Sequence, residues 1–139
     1  MTQINLEYLG DLDFKAVHGP SGAAITTDAP PDNQGKGRSF SPTDLLATSL
    51  GACMGTIMGI VARRDQIDLS GMKITVVKEM TKTTPRKVAE LKVQFEIPKL
   101  VKAEERVKLE RAALTCPVHH SLHPDVKISV NFNWSRGNS

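Results

Sequence analysis

The sequence predicts an α+β fold in a single domain spanning residues 1–139, and three observations carry that expectation. Six short stretches read as strands, most of them with apolar residues alternating against polar ones. Residues 45–62, LLATSLGACMGTIMGIVA, run eighteen positions without a charge and form the middle of one long helix. The order is three strands, the long helix, two strands, further helices, one strand, which is segregation rather than βαβ alternation. No Rossmann or P-loop fingerprint and no internal repeat is present.

Composition narrows the class. The chain is 40% hydrophobic and 24% charged, an ordinary balance, and its length can bury a core without disulfide staples. Only 4% of residues are aromatic, so aliphatic side chains and methionines must fill most of that core. The net charge of +3 comes from scattered residues with no basic run interleaved with aromatics, so no nucleic-acid partner is expected. The opening MTQINLEYLGDLDF lacks a basic segment followed by an apolar one, which points to a cytoplasmic protein. Two cysteines in such a compartment suggest catalysis, redox sensing, metal binding or plain burial rather than a structural bridge.

The elements follow in order. INLEYL places Ile4, Leu6 and Tyr8 on one side of a half-buried strand, and DLDFKAV continues after Gly10–Asp11, so residues 3–18 predict a hairpin. His18-Gly19-Pro20-Ser21-Gly22 is a turn and AAITT a third strand. Residues 28–42 form a polar, Pro/Gly-rich loop, long for a compact domain, and long loops often carry function. Ser41 is a good N-cap, Pro42 suits the first helical position, and Asp44 sits where a capping box needs a carboxylate. The helix should run to about Arg64. MKITVVKEM and AELKVQFEI predict two strands with a turn around Pro85 and Arg86. KLVKAEERVKLERAALT predicts an amphipathic helix with Ala103, Val107 and Leu114 inward and Glu104–Lys108 and Arg106–Glu110 paired outside. Cys116-Pro117 breaks it and begins a short helix, VHHSLH. VKISVNFNW closes the chain as a strand.

The long helix is too short and too rich in Thr, Ser and Gly for a membrane span, so no membrane partner is expected. Ala47, Gly51, Gly55 and Gly59 recur every four residues as a stripe with almost no side chain. Each interior glycine costs up to about 1 kcal/mol against alanine, so close approach by another backbone must be the reason. That backbone is either a strand of the same chain or the same helix of a second subunit. Cys53 lies beside the stripe, where a lone cysteine is most often a small core residue. Cys116 stands at a helix start, where orphan amides favour a thiolate.

SPTDLLATSLGACM, with a cysteine on a long helix after a Ser-Pro start, and LTCPVHHSL, with a second cysteine before proline, lie 63 positions apart between the cysteines (116 minus 53). With a strand block before them and a hairpin and helix between, this pattern resembles the OsmC/Ohr family of osmotically inducible and organic hydroperoxide resistance proteins, over nearly the whole chain. The resemblance implies an intertwined homodimer in which six-stranded, antiparallel-rich sheets wrap around paired central helices. It implies a thiol peroxidase for organic hydroperoxides in oxidative-stress defence. Cys53 would be the peroxidatic cysteine and Cys116 the resolving one, with an external dithiol as reductant and neither metal nor organic cofactor.

Two departures bear on activity. Peroxidase members pair an early arginine with a glutamate at the start of the central helix. Here the turn reads VHGPSG, and Pro42 is followed by Thr43 with Asp44 one position later. Nine residues separate Asp44 from Cys53, about half a turn out of phase, so Asp44 fits a helix cap better than a catalytic acid. Arg38, in the loop before the helix, is the nearest candidate cation, and Gly35 and Gly37 let that loop fold inward; His18 is the next candidate. The pattern fits a less-characterised OsmC-like branch. His119, His120 and His123 are surface imidazoles, tuners of Cys116, or, for His119 and His123 with both cysteines, a tetrahedral zinc set. The rival function is a non-enzymatic dimer that binds a small apolar or electrophilic ligand at its interface, with the cysteines as redox sensor.

Overall fold

The structure is a computed structural model that describes residues 1–137. Its contacts gather into two compact units, Met1–Leu46 and Ala47–Ser139.

In the first unit, β1 (Ile4–Gly10), β2 (Asp13–His18) and β3 (Ala24–Thr27) form an antiparallel sheet in that order. The β1–β2 turn places Gly10, Asp11 and Leu12 at positive φ, a conformation that only glycine adopts without cost. The register pairs Ile4 with His18, Leu6 with Ala16 and Tyr8 with Phe14, and Ala16 with Ile25 across the next ladder. Side chains alternate across a strand, so Ile4, Leu6, Tyr8, Phe14 and Ile25 share one face. Half-burial was expected for β1. Instead Ile4, Leu6 and Tyr8 are more than half exposed, as is Ile25, so among the described residues most of this apolar face is left open, with Ala16 buried at its middle.

The long loop is an ordered knot. A short 3-10 helix at Pro31–Asn33 sits inside it, and Asp28 N donates to Phe40 O at 3.1 Å to close its two ends. Gly35 is obligatory, because a Cβ there would lie 1.7 Å from the Ala29 carbonyl oxygen.

The second unit holds most of α1 (Pro42–Arg64) against a sheet of β4 (Lys73–Met80), β5 (Val88–Ile97) and β6 (Lys127–Trp134). β4–β5 is an antiparallel hairpin and β5–β6 a parallel pair, so residues 98–126 form a crossover carrying α2 (Ala103–Ala113) and α3 (Pro117–Ser121). The six predicted strands are thus divided within the chain between two three-stranded sheets. Leu50, Met54 and Met58 of α1, Leu91, Phe95 and Ile97 of β5, Leu109 of α2 and Cys116 form the fully buried centre.

The glycine stripe meets a strand of its own chain. A Cβ on Gly51 would lie 2.7 Å from Val76 Cγ2, and one on Gly55 2.6 Å from Ile74 Cδ1, both on β4. Of the two readings of the stripe, same-chain packing therefore accounts for Gly51 and Gly55, and Gly59 has nothing within 4 Å. The α1 face left outside is another one: Thr48, Ala52, Thr56 and Ile60 are exposed and uncharged.

In α2 the inner stripe is Leu109 and Ala113, four apart, continued by Cys116. Ala103, Val107 and Leu114 point outward, contrary to expectation, because the polar residues Arg106 and Glu110 take the sheet side. Glu110 accepts a 2.8 Å hydrogen bond from Trp134 Nε1, and Arg106 donates to Val101 O at 2.7 Å and lies 6.0 Å over the Trp134 ring. The helix uses long polar side chains to dock an aromatic one. Lys108 pairs with Asp65 rather than with Glu104.

Candidate active site

Cys53 sits on the fourth turn of α1, half-buried, and Cys116 caps α3 with no exposed surface; both are free thiols. Cys116 reaches the buried centre on the β5–β6 crossover that carries α2 and α3, and Leu50, Met54 and Met58 of α1 are buried in the same unit. The two cysteines are near neighbours, close enough for Cys53 to influence the Cys116 thiol. Cys116 Sγ accepts from His119 N at 3.3 Å and from Val118 N, the orphan amides of the helix start. Those amides favour a thiolate, as the sequence led us to expect, but burial outweighs them. Desolvation pushes the Cys116 thiol up, and the neighbouring Cys53 pushes it further. Cys116 is therefore held as a neutral thiol beside a more accessible one.

Asp44 takes the capping role. Its Oδ2 accepts from Ser41 N at 2.9 Å while Ser41 Oγ accepts from Asp44 N at 3.1 Å, a reciprocal capping box.

Arg38 lies in a charged cluster of the first unit. Asp28 Oδ2 accepts from both Arg38 N (3.0 Å) and Arg38 Nε (3.1 Å), and Asp13 Oδ2 accepts from Arg38 Nη2 at 2.7 Å. Asp11 lies 3.8 Å from the same Nη2 and pairs with Lys36 at 2.6 Å. The Asp28 side chain is only 2% exposed, and the Arg38 backbone amide, ahead of the guanidinium, holds its carboxyl at about 2 despite burial. Asp28 and Asp13 were missed in the sequence; nothing local marks them, since their partner is ten and twenty-five positions away.

The histidines are scattered. His18 Nδ1 meets Ser21 Oγ at 2.6 Å within its own turn. His119 and His120 stand edge to face with centroids 6.1 Å apart, and His123 Nδ1 accepts from Asp125 N at 3.0 Å. Among the described residues no group of three or more His, Cys, Asp or Glu side chains could hold a metal ion, so the tetrahedral set does not assemble.

A family model described as OsmC-like protein matches residues 35–131, more than half of the chain and both cysteines. The chain belongs to the OsmC family. An OsmC relative of solved structure from Psychrobacter arcticus, described in terms of osmotic stress induction and a detoxification response, is 45% identical over 96% of each chain with a TM-score of 0.91. The OsmC-like protein of Mycoplasma pneumoniae has the same fold at 21% identity, with 96% of each chain covered and a TM-score of 0.80. So does an organic hydroperoxide resistance protein OsmC of Legionella pneumophila, at 18% identity over 96% of each chain and a TM-score of 0.76. Comparison with curated proteins gives no match. The OsmC-like fold read from the Cys53 helix and the Cys-Pro element is thereby established.

Proposed function

We propose that this OsmC-family protein is a cysteine-based peroxidase acting on organic hydroperoxides in the cytoplasm. The observation that supports it most is the thiol pair: a half-buried Cys53 near a fully buried Cys116 whose thiol is kept neutral by burial. The names of the Legionella protein and other organic hydroperoxide resistance proteins with this fold point the same way. In the proposed cycle the Cys53 thiolate attacks one peroxide oxygen, the O–O bond breaks, and the alkoxide leaves with a proton as alcohol, giving Cys53 sulfenic acid. The Cys116 sulfur then displaces hydroxide, released as water, to form a Cys53–Cys116 disulfide, and an external dithiol reduces it by exchange. A neutral resolving thiol does not compete for the peroxide, because the thiolate is the nucleophile. Arg38, of the same or the partner subunit, is proposed as the cation that stabilises the thiolate and the peroxide.

The acting form is proposed to be a homodimer. Two uncovered surfaces support it: the apolar face of β1–β3 and the uncharged stripe Thr48, Ala52, Thr56 and Ile60 on α1. By length and composition α1 could also cross a membrane, with one third of its apolar window buried inside the chain. A second copy covering the remainder accounts for the same surface. The test is a thiol count before and after one equivalent of cumene hydroperoxide. Rapid loss of two thiols per chain supports the peroxidase; slow loss or none favours a dimer that binds small apolar or electrophilic ligands.

A further inference from the structure

We infer a second ligand site, apart from the cysteines: a cavity at one end of the β4–β6 sheet that takes a free α-amino acid with an apolar side chain.

The cavity measures about 420 Å³, within the ~300–1,000 Å³ usual for small-molecule sites. It lies wholly in the second unit, where β4 begins and β5 and β6 end. Its polar wall follows from the strand register. Lys73 stands opposite Glu96 and Glu96 opposite Asn133, so the three side chains form a row on one face of the sheet. Opposite charges directly across a ladder attract, yet Glu96 is held by amides instead. Asn133 Nδ2 donates to Glu96 Oε2 at 2.6 Å and Gln94 Nε2 to Glu96 Oε1 at 3.1 Å. Lys73 makes no ion pair among the described residues. The rim thus carries an anchored carboxylate beside an unpaired ammonium. An ionised carboxylate has about four acceptor positions, so Glu96 with its two amide donors still has room for an incoming N–H.

This pair of charges selects the ligand. A simple anion drawn to Lys73 meets repulsion from Glu96, and a simple cation drawn to Glu96 meets repulsion from Lys73. A zwitterion satisfies both, with its carboxylate on Lys73 and its ammonium on Glu96. The apolar side chain has its own wall in Ile97 and Trp134. Trp134 is fixed in place: its Nε1 donates to Glu110 at 2.8 Å, Phe132 stacks with ring centroids 6.5 Å apart, and Arg106 lies 6.0 Å from the ring. A ring held this way needs no reordering when a ligand arrives, which lowers the entropic cost of binding.

Trp134 is the only tryptophan of the chain, so its fluorescence reports on the cavity directly. The test titrates the intact protein with L-leucine and L-phenylalanine under selective tryptophan excitation. Two analogues follow: L-phenylalaninamide, which lacks the carboxylate, and N-acetyl-L-phenylalanine, which lacks the ammonium. We expect a saturable change in Trp134 emission with both amino acids and at least about tenfold weaker binding of each analogue, roughly 1.4 kcal/mol. Lys73→Gln should weaken L-phenylalanine by about the same factor without weakening the amide further, and Glu96→Gln should do so without weakening the N-acetyl compound further. Both positions are exposed, so the variants should fold, which circular dichroism checks. No saturable change at millimolar amino acid overturns the inference. Equal binding of the analogues overturns it too, as does affinity that neither variant alters.

Discussion

Asp28 is a carboxylate with almost no contact with solvent whose proton nevertheless leaves at about 2, because the Arg38 backbone N–H, ahead of its guanidinium, stabilises the anion more than burial penalises it. A folded-state pKa below the unfolded value means stability that is present above the ordinary carboxylate range and lost as pH falls through about 2. The difference in unfolding free energy between wild type and Asp28→Asn should therefore be full at neutral pH and shrink between about pH 4 and pH 2, by urea titration at each pH. Cys116 carries the opposite sign. Its thiol is raised mainly by burial, so the reduced protein should lose stability as pH rises past the ordinary thiol range, and Cys116→Ser should remove that alkaline loss. In the same variant, peroxide should leave a sulfenic acid on Cys53 that dimedone traps and mass spectrometry counts; no adduct at Cys53 would count against its peroxidatic role. Both cysteines were legible in the sequence because Ser-Pro before a helix and Cys-Pro after one are local patterns. Asp28 was not, because its role exists only once a loop has folded back on it. The sign at Cys116 was not legible either: the helix start could be read, the depth of burial could not.

At the scale of elements, the six strands and three helices follow from alternation, capping residues and turn chemistry, and their positions agree closely with the expectation. What periodicity could not decide was which partner each face meets. The α2 stripe failed because arginine and glutamate carry enough hydrocarbon to pack on a tryptophan and were counted as surface. The α1 glycines now separate into testable classes. Gly51→Ala drives a methyl into the branched Val76 side chain close to its backbone and should cost about 1–3 kcal/mol. Gly55→Ala meets only the far end of Ile74, which can turn aside, so it should cost clearly less. Gly59→Ala meets nothing within 4 Å among the described residues and should be neutral or stabilising by up to about 1 kcal/mol. Thermal midpoints of the three variants, each checked for unchanged oligomeric state, give the order.

At the scale of the molecule, an apolar sheet face with Ile4, Leu6, Tyr8, Phe14 and Ile25 exposed, on the same chain as an uncharged exposed helix face, is the kind of surface that marks an interaction site. A homodimer at micromolar concentration is the expected result by light scattering. Leu6→Asp with Ile25→Asp should shift it toward monomer while leaving the β4–β6 unit folded by circular dichroism. A monomeric wild type would refute the assembly. The sequence could name these residues as strand positions. It could not tell that their apolar side is left bare, because burial by a second chain and burial by one's own have the same alternation.

The parallel pairing of β5 with β6 sets a timetable. Parallel strands need a crossover, and here the crossover is the segment that carries Cys116. During synthesis Cys53 emerges long before its partner, which lies 63 positions further on (116 minus 53). A chain still being made therefore carries Cys53 without Cys116. The Cys53–Cys116 disulfide of the proposed cycle would tie off a loop of roughly 60 residues, worth about 4 kcal/mol of unfolded-state entropy if it forms without strain. The oxidised protein should then melt higher than the reduced one by on the order of 10 °C. Peroxide would act on this molecule as a thermostabiliser until a reductant resets it, and a melting curve would serve as a gauge of its redox state.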